Sequence, residues 1–484
     1  MGYFKVIRLT VLITALVLNT FVYFYPDILN ESSKCQWHEF SGSPSMRSNN
    51  ALVRKLPDFV SEKVLLYFPS LRDDDNTKTN STRYEDGRIK DIHMLTFGDP
   101  QINGNWPSTP YIKRLDNYGN DYYLGHIYST MKNRLQPSHV AVMGDLFSSQ
   151  WILDSEFYNR TLRFVERLFP RDQAYKQTAI DVHAKHENYD WRGWLDREVN
   201  MNPRQRFDSR VYNDVYDWYF DNKFPNYNEP LFINLTGNHD IGYSGDATWQ
   251  HMARFHLLFG QNNYVINYNL DSEEPWRLVV LDSLTLEGPA LQEEFVQYTW
   301  EFLKYLEEVE NPKFNGSTVL LTHIPFFKAE GLCKDGPEHI YYENYEREPY
   351  KNGKLRSQNH LLFETSQKVL NTVFPNGDQS GIILTGHDHY GCDGWYNYEN
   401  GTWVASKNNT GSKQKKSIRE VVVQAMMGDF DGQTGLVTGN FDYENHNWNF
   451  EFSYCSFTVQ HWWWASKVSL FLCIFLQSIA FLTR

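Results

Sequence analysis

Basic residues are in short supply: 46 Lys and Arg stand against 59 Asp and Glu, a formal net charge of -13. A chain so acidic lacks the Lys/Arg stripes that a phosphate backbone requires, which excludes nucleic acid as a partner. The surplus acid reads instead as a solvated surface. No internal repeat or low-complexity run is evident, and 41% hydrophobic with 22% charged residues is an ordinary globular composition. Cysteine is also scarce, with five in 484 residues. Cys473 lies in an apolar terminal run, leaving Cys35, Cys333, Cys392 and Cys455, an even number that suits one or two disulfides with three possible pairings.

Aromatic residues are plentiful, at 16%, and both ends are hydrophobic. Residues 6–25 are long enough as a helix to span the ~30 Å hydrocarbon layer. No small-x-small cleavage site follows them, which argues against a removed signal peptide. Lys5 and Arg8 mark the start of this run while Asp27 and Glu31 follow, so the positive-inside rule places the body of the chain across the membrane from the cytosol. A second span is expected at 462–482, opening on the interfacial belt Trp462-Trp463-Trp464 and followed by Arg484. Two spans leave the tips 1–5 and 483–484 cytosolic and the remainder in a lumen. No retrieval signal is readable in Phe481-Leu482-Thr483-Arg484. Asn-x-Ser/Thr sequons at Asn30, Asn80, Asn159, Asn234, Asn315, Asn400 and Asn408 agree with a lumen, Asn400 and Asn408 being the best acceptors.

Between the spans, 26–88 is a polar lead-in with a short amphipathic piece at 60–68. From 89 to 457 strand-like runs alternate with helical stretches (near 122–135, 154–168, 247–259, 291–310 and 359–373), which predicts an α/β architecture. The late β segments 420–425 and 434–438 are expected to form a second sheet. A polar, aromatic insertion, 170–228, carries Trp191, Trp194 and Trp218. It suits a helical hairpin packed by those rings, with a sugar-stacking cap as the functional alternative.

The run 231–235 is the organising stretch, an apolar strand that breaks at Gly237 into Asn238-His239-Asp240. Polar residues at the end of a buried parallel strand are where open α/β sheets place their chemistry. Four other strands end alike: 92–97 in Gly98-Asp99-Pro100-Gln101, 139–143 in Gly144-Asp145, 317–321 in Thr322-His323, and 381–384 in Thr385-Gly386-His387-Asp388-His389. Each ending alone has a plain explanation as a cap, turn or core histidine. Together they form a set of carboxylate, amide and imidazole suited to Mn, Fe or Zn, and without thiolate they exclude a closed structural zinc site. Strands lying side by side in one sheet would converge these ends, with one carboxylate bridging two cations ~3.5–4 Å apart.

The series Asp99-Pro100-Gln101, Gly144-Asp145, Gly237-Asn238-His239-Asp240, His323 and Gly386-His387-Asp388-His389 resembles the calcineurin-like metallophosphoesterase superfamily over residues 92–430. That resemblance implies a β-sandwich of two mixed sheets flanked by helices, here between terminal transmembrane helices. It implies that Asp99, Asp145 and His389 hold a first metal, and that Asp145, Asn238, His323 and His387 hold a second. His239, with Asp240 beside it, would be catalytic, stabilising or protonating the leaving oxygen. The family usually has Asp-x-His in its first motif, whereas Gln101 stands here and offers only a carbonyl oxygen. Gly98-Asp99-Pro100-Gln101, Met143-Gly144-Asp145-Leu146-Phe147 and Gly386-His387-Asp388-His389-Tyr390-Gly391-Cys392 are similar to the endoplasmic-reticulum branch that remodels GPI anchors, where that Gln is usual.

The branch implies a manganese-dependent phosphodiesterase in the reticulum membrane. It would remove ethanolamine phosphate from a mannose, the second above all, of GPI-anchored proteins before export, with cargo-sorting membrane proteins as further partners. A luminal phosphomonoesterase or nucleotide phosphatase, and a non-catalytic cargo adaptor with a decayed metal site, are the alternatives. Cys333 and Cys392 each follow a metal motif closely, so a disulfide between them would tie the two loops together.

Overall fold

Short aliphatic runs bounded by Gly, Asn and Asp supply most strands of the computed structural model, which describes residues 2–28, 35–40, 48, 50–72, 87–106, 108–170, 193, 230–375, 380–410, 417–457 and 460–483. In chain order the elements begin with α1 (Gly2–Ile28), α2 (Asp58–Tyr67), β1 (Ile92–Phe97), α3 (Tyr111–Leu135), β2 (His139–Val142) and α4 (Asp154–Arg163). Next come β3 (Leu231–Asn234), α5 (Asn238–Ile241), α6 (Trp249–Phe259), β4 (Tyr264–Tyr268), β5 (Trp276–Val280), α7 (Glu293–Tyr305) and β6 (Ser317–Leu321). The chain continues through β7 (His339–Tyr341), β8 (Leu355–Gln358), α8 (Phe363–Val373), β9 (Gly381–Thr385), β10 (Cys392–Glu399) and β11 (Thr402–Ser406). It closes with β12 (Ser417–Val422), β13 (Thr434–Asp442), β14 (Asn447–Cys455) and α9 (Gln460–Leu482). Apart from Pro170 and Gly193, the 170–228 insertion lies outside the described residues, as do Asn30 and Asn80.

Two mixed sheets form a sandwich, of order β14-β13-β1-β2-β3 and β11-β10-β12-β9-β6-β5-β4, while β7 and β8 make a separate ribbon. Successive side chains on a strand point to opposite faces. Met94, Ala141 and Ile233 from one sheet therefore meet Leu278, Val319, Ile382 and Val421 from the other in an inner core. Their neighbours Leu95, Val140, Phe232, Leu320 and Ile383 join an outer core with Leu124 and Ile127 of α3, Phe157 of α4, Phe302 of α7 and Val369 of α8. Burial on both faces explains why these strands read as continuous apolar runs rather than alternating ones. Each such side chain contributes about 1.5–3 kcal/mol.

Two expectations are corrected. The late strands do not make a sheet of their own: β12 runs parallel to β9, whereas β13 pairs antiparallel with β1 in the other sheet. Nor do the five motif-bearing strands share one sheet. β1, β2 and β3 are parallel neighbours in the first, and β6 and β9 in the second. A strand's sequence reports that both its faces are buried, not which strand lies beside it.

Both terminal helices are long and apolar enough to cross a membrane. Their apolar side chains face outward, Leu16 being 60% and Phe471 69% exposed, unlike a core helix. They pack as an antiparallel hairpin in which Arg8 bonds Gln477, Asn19 Nδ2 donates to the Ser466 carbonyl (3.2 Å) and Lys467 Nζ to the Tyr23 hydroxyl (3.0 Å). Asp27 at the end of α1 is gripped by Arg134 of α3 (2.6 and 2.9 Å) and by Lys63 and Tyr67 of α2. A Cys35–Cys455 disulfide ties the chain beyond the first helix to β14, and a second joins Cys333 to Cys392.

Candidate metal centre

Register brings the motifs together. Phe97 is level with Val142 and Val142 with Asn234, so Asp99, Asp145 and Asn238 leave one sheet along the same edge. In the facing sheet Leu321 is level with Leu384, so His323 and His387 leave side by side. The edges are stitched by His323, whose carbonyl accepts from Gly386 N–H (3.0 Å) and whose Nδ1 lies 2.7 Å from the Met143 carbonyl. The chain bends sharply here. Asp99, Gln101, Asp145 and His387 all have left-handed backbones, with φ of 34°, 41°, 48° and 74°. Conformations of that kind cost of order 1–3 kcal/mol each and concentrate where function requires them. Gly237 is required by close approach, since a Cβ there would fall 2.0 Å from the Asp145 nitrogen.

Ligand-type atoms of Asp99, Asp145 and His323 lie within 4.8 Å of one another, and all three residues are buried. The remaining candidates join them. Asn238 Oδ1 is 3.2 Å from His323 Nε2 and 3.0 Å from His387 Nδ1. His389 Nε2 is 3.9 Å from Asp99 Oδ2 and 3.1 Å from Gln101 Nε2, which also donates to Asp145 Oδ2 at 3.2 Å. Gln101 thus stands as a donor, and a half-turn of its amide presents the oxygen instead. His239 donates its backbone N–H to Asp145 Oδ1 (2.8 Å), while its ring Nε2 is 3.8 Å from Asp145 Oδ2 and its side chain is 38% exposed, the most open of the set.

Asp240, expected to be catalytic together with His239, is buried. Its carboxylate accepts the backbone N–H groups of Gly237, Leu146 and Phe147 (2.9, 3.2 and 3.1 Å), which clamps the second motif against the third. All three of these bonds go to the backbone.

Outer partners set the faces of the imidazoles. His323 is held through Nδ1 by Met143, so its Nε2 faces the cluster. His387 is held through Nε2 by the Gln358 carbonyl (3.0 Å), so it presents Nδ1. Such partners fix the ring and raise its basicity as a ligand. Sequence reading missed both, because any residue supplies a backbone carbonyl. Tyr243, whose ring centre lies 6.1 Å from that of His387, was missed as well.

The electrostatics suit a cation. Burial, then the charge of Asp145, raises the Asp99 carboxyl well above the usual carboxylate range. Burial also pushes Asp145 upward, but His323, His239 and His387 outweigh it and leave it below that range. The metal-free pair therefore keeps Asp145 ionised and favours a proton on Asp99. Burial lowers His387 to about 3 and also depresses His323 and His389, so these imidazoles are neutral and ready to ligate. Asp99 Oδ1 is fully buried and has no hydrogen-bond partner among the described residues, which suits a divalent cation as its partner. The Asp99–Asp145–His323 cluster thus fits a divalent metal, with oxygen and nitrogen donors of hard-to-borderline character.

No known family profile matches the chain. It is 48% identical over 478 residues to Protein TED1 of Saccharomyces cerevisiae, covering 96% of this chain and 95% of that protein. An uncharacterized Schizosaccharomyces pombe protein is 24% identical over 369 residues, covering 71% of this chain and 68% of its own. Among solved structures, the Plasmodium inner-membrane-complex anchor GAP50 overlaps with a TM-score of 0.34 at 7% identity, over 76% of this chain and 89% of its own. The calcineurin-like phosphoesterase YfkN of Bacillus subtilis gives 0.31 at 8%, over 81% and 99%. Overlaps that low add nothing to the fold seen in the strand order and its ligand edge. Identity of nearly half along almost the full length of both chains makes this protein a member of the Protein TED1 family, with two apolar helices flanking its folded domain.

Proposed function

We propose that the chain is a two-metal phosphodiesterase anchored in the endoplasmic-reticulum membrane with its catalytic domain in the lumen. Its substrate would be the ethanolamine phosphate on a mannose, most directly the second, of the GPI glycan, and its removal would promote export of GPI-anchored proteins. The observation that carries this reading is the buried Asp99–Asp145–His323 cluster with its orphaned Asp99 oxygen. Kinship with Protein TED1 and resemblance to the GPI-remodelling branch narrow it further.

Asp99, Asp145 and His389, with Gln101 beside them, would hold one ion; Asp145, Asn238, His323 and His387 would hold the other. Manganese suits this mainly oxygen and imidazole set, with zinc or iron as alternatives. When bound, the ions supply charge for the phosphoryl oxygens and a nucleophile at neutral pH. His239, on the open side and 3.8 Å from Asp145, would give its ring proton to the departing sugar oxygen. Asp240 holds the backbone that carries both groups. Lys5 and Arg8, at one end of the helical hairpin, support a cytosolic location for both termini.

Purified full-length chain with manganese, assayed on bis- and mono-nitrophenyl phosphate and then on GPI glycan, tests the proposal. Faster diester turnover, lost in Asp145→Ala, is expected. Faster monoester turnover would make it a phosphomonoesterase. No turnover on either ester, together with normal cargo export in cells carrying Asp145→Ala, would make it an adaptor.

A further inference from the structure

A second cavity, of about 570 Å³, lies where the two apolar helices meet the folded domain, and none of its lining residues belongs to the metal centre. Tyr23 near the end of α1 and Lys467 near the start of α9 form one wall; Tyr122, Thr130 and Arg134 of α3, with Arg167, form the other. Lys467 is seven residues into α9, about 10 Å along its axis at 1.5 Å per residue, which is the depth of an interfacial layer. The cavity therefore opens at headgroup level.

Its charge is opposite to that of the chain. Arg134, Arg167 and Lys467 line it against a single carboxylate among the described residues, Glu166, whereas the protein carries -13. Burial and then Lys467 push His126 down to about 4, so it adds no charge. Arg134 is committed to Asp27, and Arg167 shares Asp121 at 3.1 Å between the rings of Tyr118 and Tyr122. Lys467 differs: it donates to the Tyr23 hydroxyl and lies 5.3 Å from the Trp463 ring centre, with no carboxylate partner among the described residues. A lysine in a span ordinarily snorkels outward to lipid headgroups, yet this one lines the cavity. At headgroup level its ammonium, with no carboxylate beside it among the described residues, is available to an anionic lipid group.

The adjoining surface is built for a bilayer. Tyr111, Leu115, Tyr118 and Tyr122 recur at helical spacing along α3 and are 80%, 47%, 46% and 40% exposed, continuing the cavity's rim as an apolar stripe. α3 is seated on α9 through Gly119, where a Cβ would fall 1.9 Å from the Trp464 ring. The stripe and the start of the second span therefore occupy one level.

We propose that this cavity binds the anionic, phosphate-bearing headgroup of a membrane lipid, with Lys467 as the principal counter-charge. Native mass spectrometry of the full-length chain with phosphatidylinositol or phosphatidylcholine tests it. Wild type should retain phosphatidylinositol about tenfold over phosphatidylcholine. Lys467→Gln should lose that preference, Lys467→Arg should keep it, and Thr130→Trp, which fills the cavity, should lose it while melting normally. Equal retention by wild type and Lys467→Gln would overturn the proposal. So would full displacement of the lipid by millimolar glycerophosphate, which would identify a soluble phosphate as the occupant.

Discussion

Replacing Asp145 by Asn should stabilise the metal-free protein and destabilise the metal-loaded one. Asp99 and Asp145 are 0% and 1% exposed, with ligand atoms within 4.8 Å. Two unit charges at that separation repel by about 3 kcal/mol at an effective dielectric of ~20. Asp99 escapes part of this by holding a proton, so about 3 kcal/mol is the ceiling of the relief, worth roughly 6 °C in a large domain. Asn retains an oxygen for the His239 N–H, so that bond survives. Loaded protein behaves oppositely, because manganese at 100 times its Kd contributes about 2.7 kcal/mol to wild type and little to the variant.

The pH dependence follows from Asp99. Its folded carboxyl titrates above its ordinary value, so metal-free stability is greatest below that value and is lost as pH rises through the elevated one. Without the Asp145 charge this slope should flatten. Thermal melts of chelated and manganese-loaded full-length protein, from the carboxylate range to neutral pH, read all three effects. A chelated Asp145→Asn that melts several degrees below wild type, and gains as much from manganese, would refute the reasoning.

Other predictions concern separate parts of the molecule. Lys328 and Glu420 form an ion pair at 2.5 Å with side chains 2% and 0% exposed; Lys328→Met strands the carboxylate and should cost about 3–5 kcal/mol in urea unfolding. Gln101→His places an imidazole beside His389 and Asp145 at a left-handed position that His tolerates; calorimetry should show one metal bound about tenfold more tightly, about 1.4 kcal/mol. Cys333→Ser with Cys392→Ser opens a loop with a sequence separation of 59; a loss of about 2–4 kcal/mol is expected in chemical unfolding.

What the sequence made legible is set by period and punctuation. The five strand endings stand out because apolar runs stop at Gly-Asp (twice), Gly-Asn-His, Thr-His and Gly-His, and all of them reach one network in the fold. Sheet membership was hidden because a strand buried on both faces carries no mark of its neighbour. α3 begins at Tyr111, well ahead of its expected start near 122, because Tyr111, Ile112 and Leu115 point outward and give no core-facing stripe. Sequence reading takes Asn400 only as a sequon, although Asn-Gly is also the pair that a tight hairpin turn favours. The structure uses the turn, with φ of 51° and 84°, to join β10 and β11, and leaves the sequon's Asn exposed at its tip. The bonds from Asp240's oxygens to three backbone amides were not legible, because every residue but proline supplies such an amide.

Metal content per chain is the most direct measurement. Full-length protein purified with manganese and freed of loose ions should carry two ions per chain by elemental analysis. His239→Ala should carry the same two, and Asp145→Ala, without the shared carboxylate, should lose both. A wild-type chain with no bound metal, or an Asp145→Ala chain with wild-type content, would contradict the account.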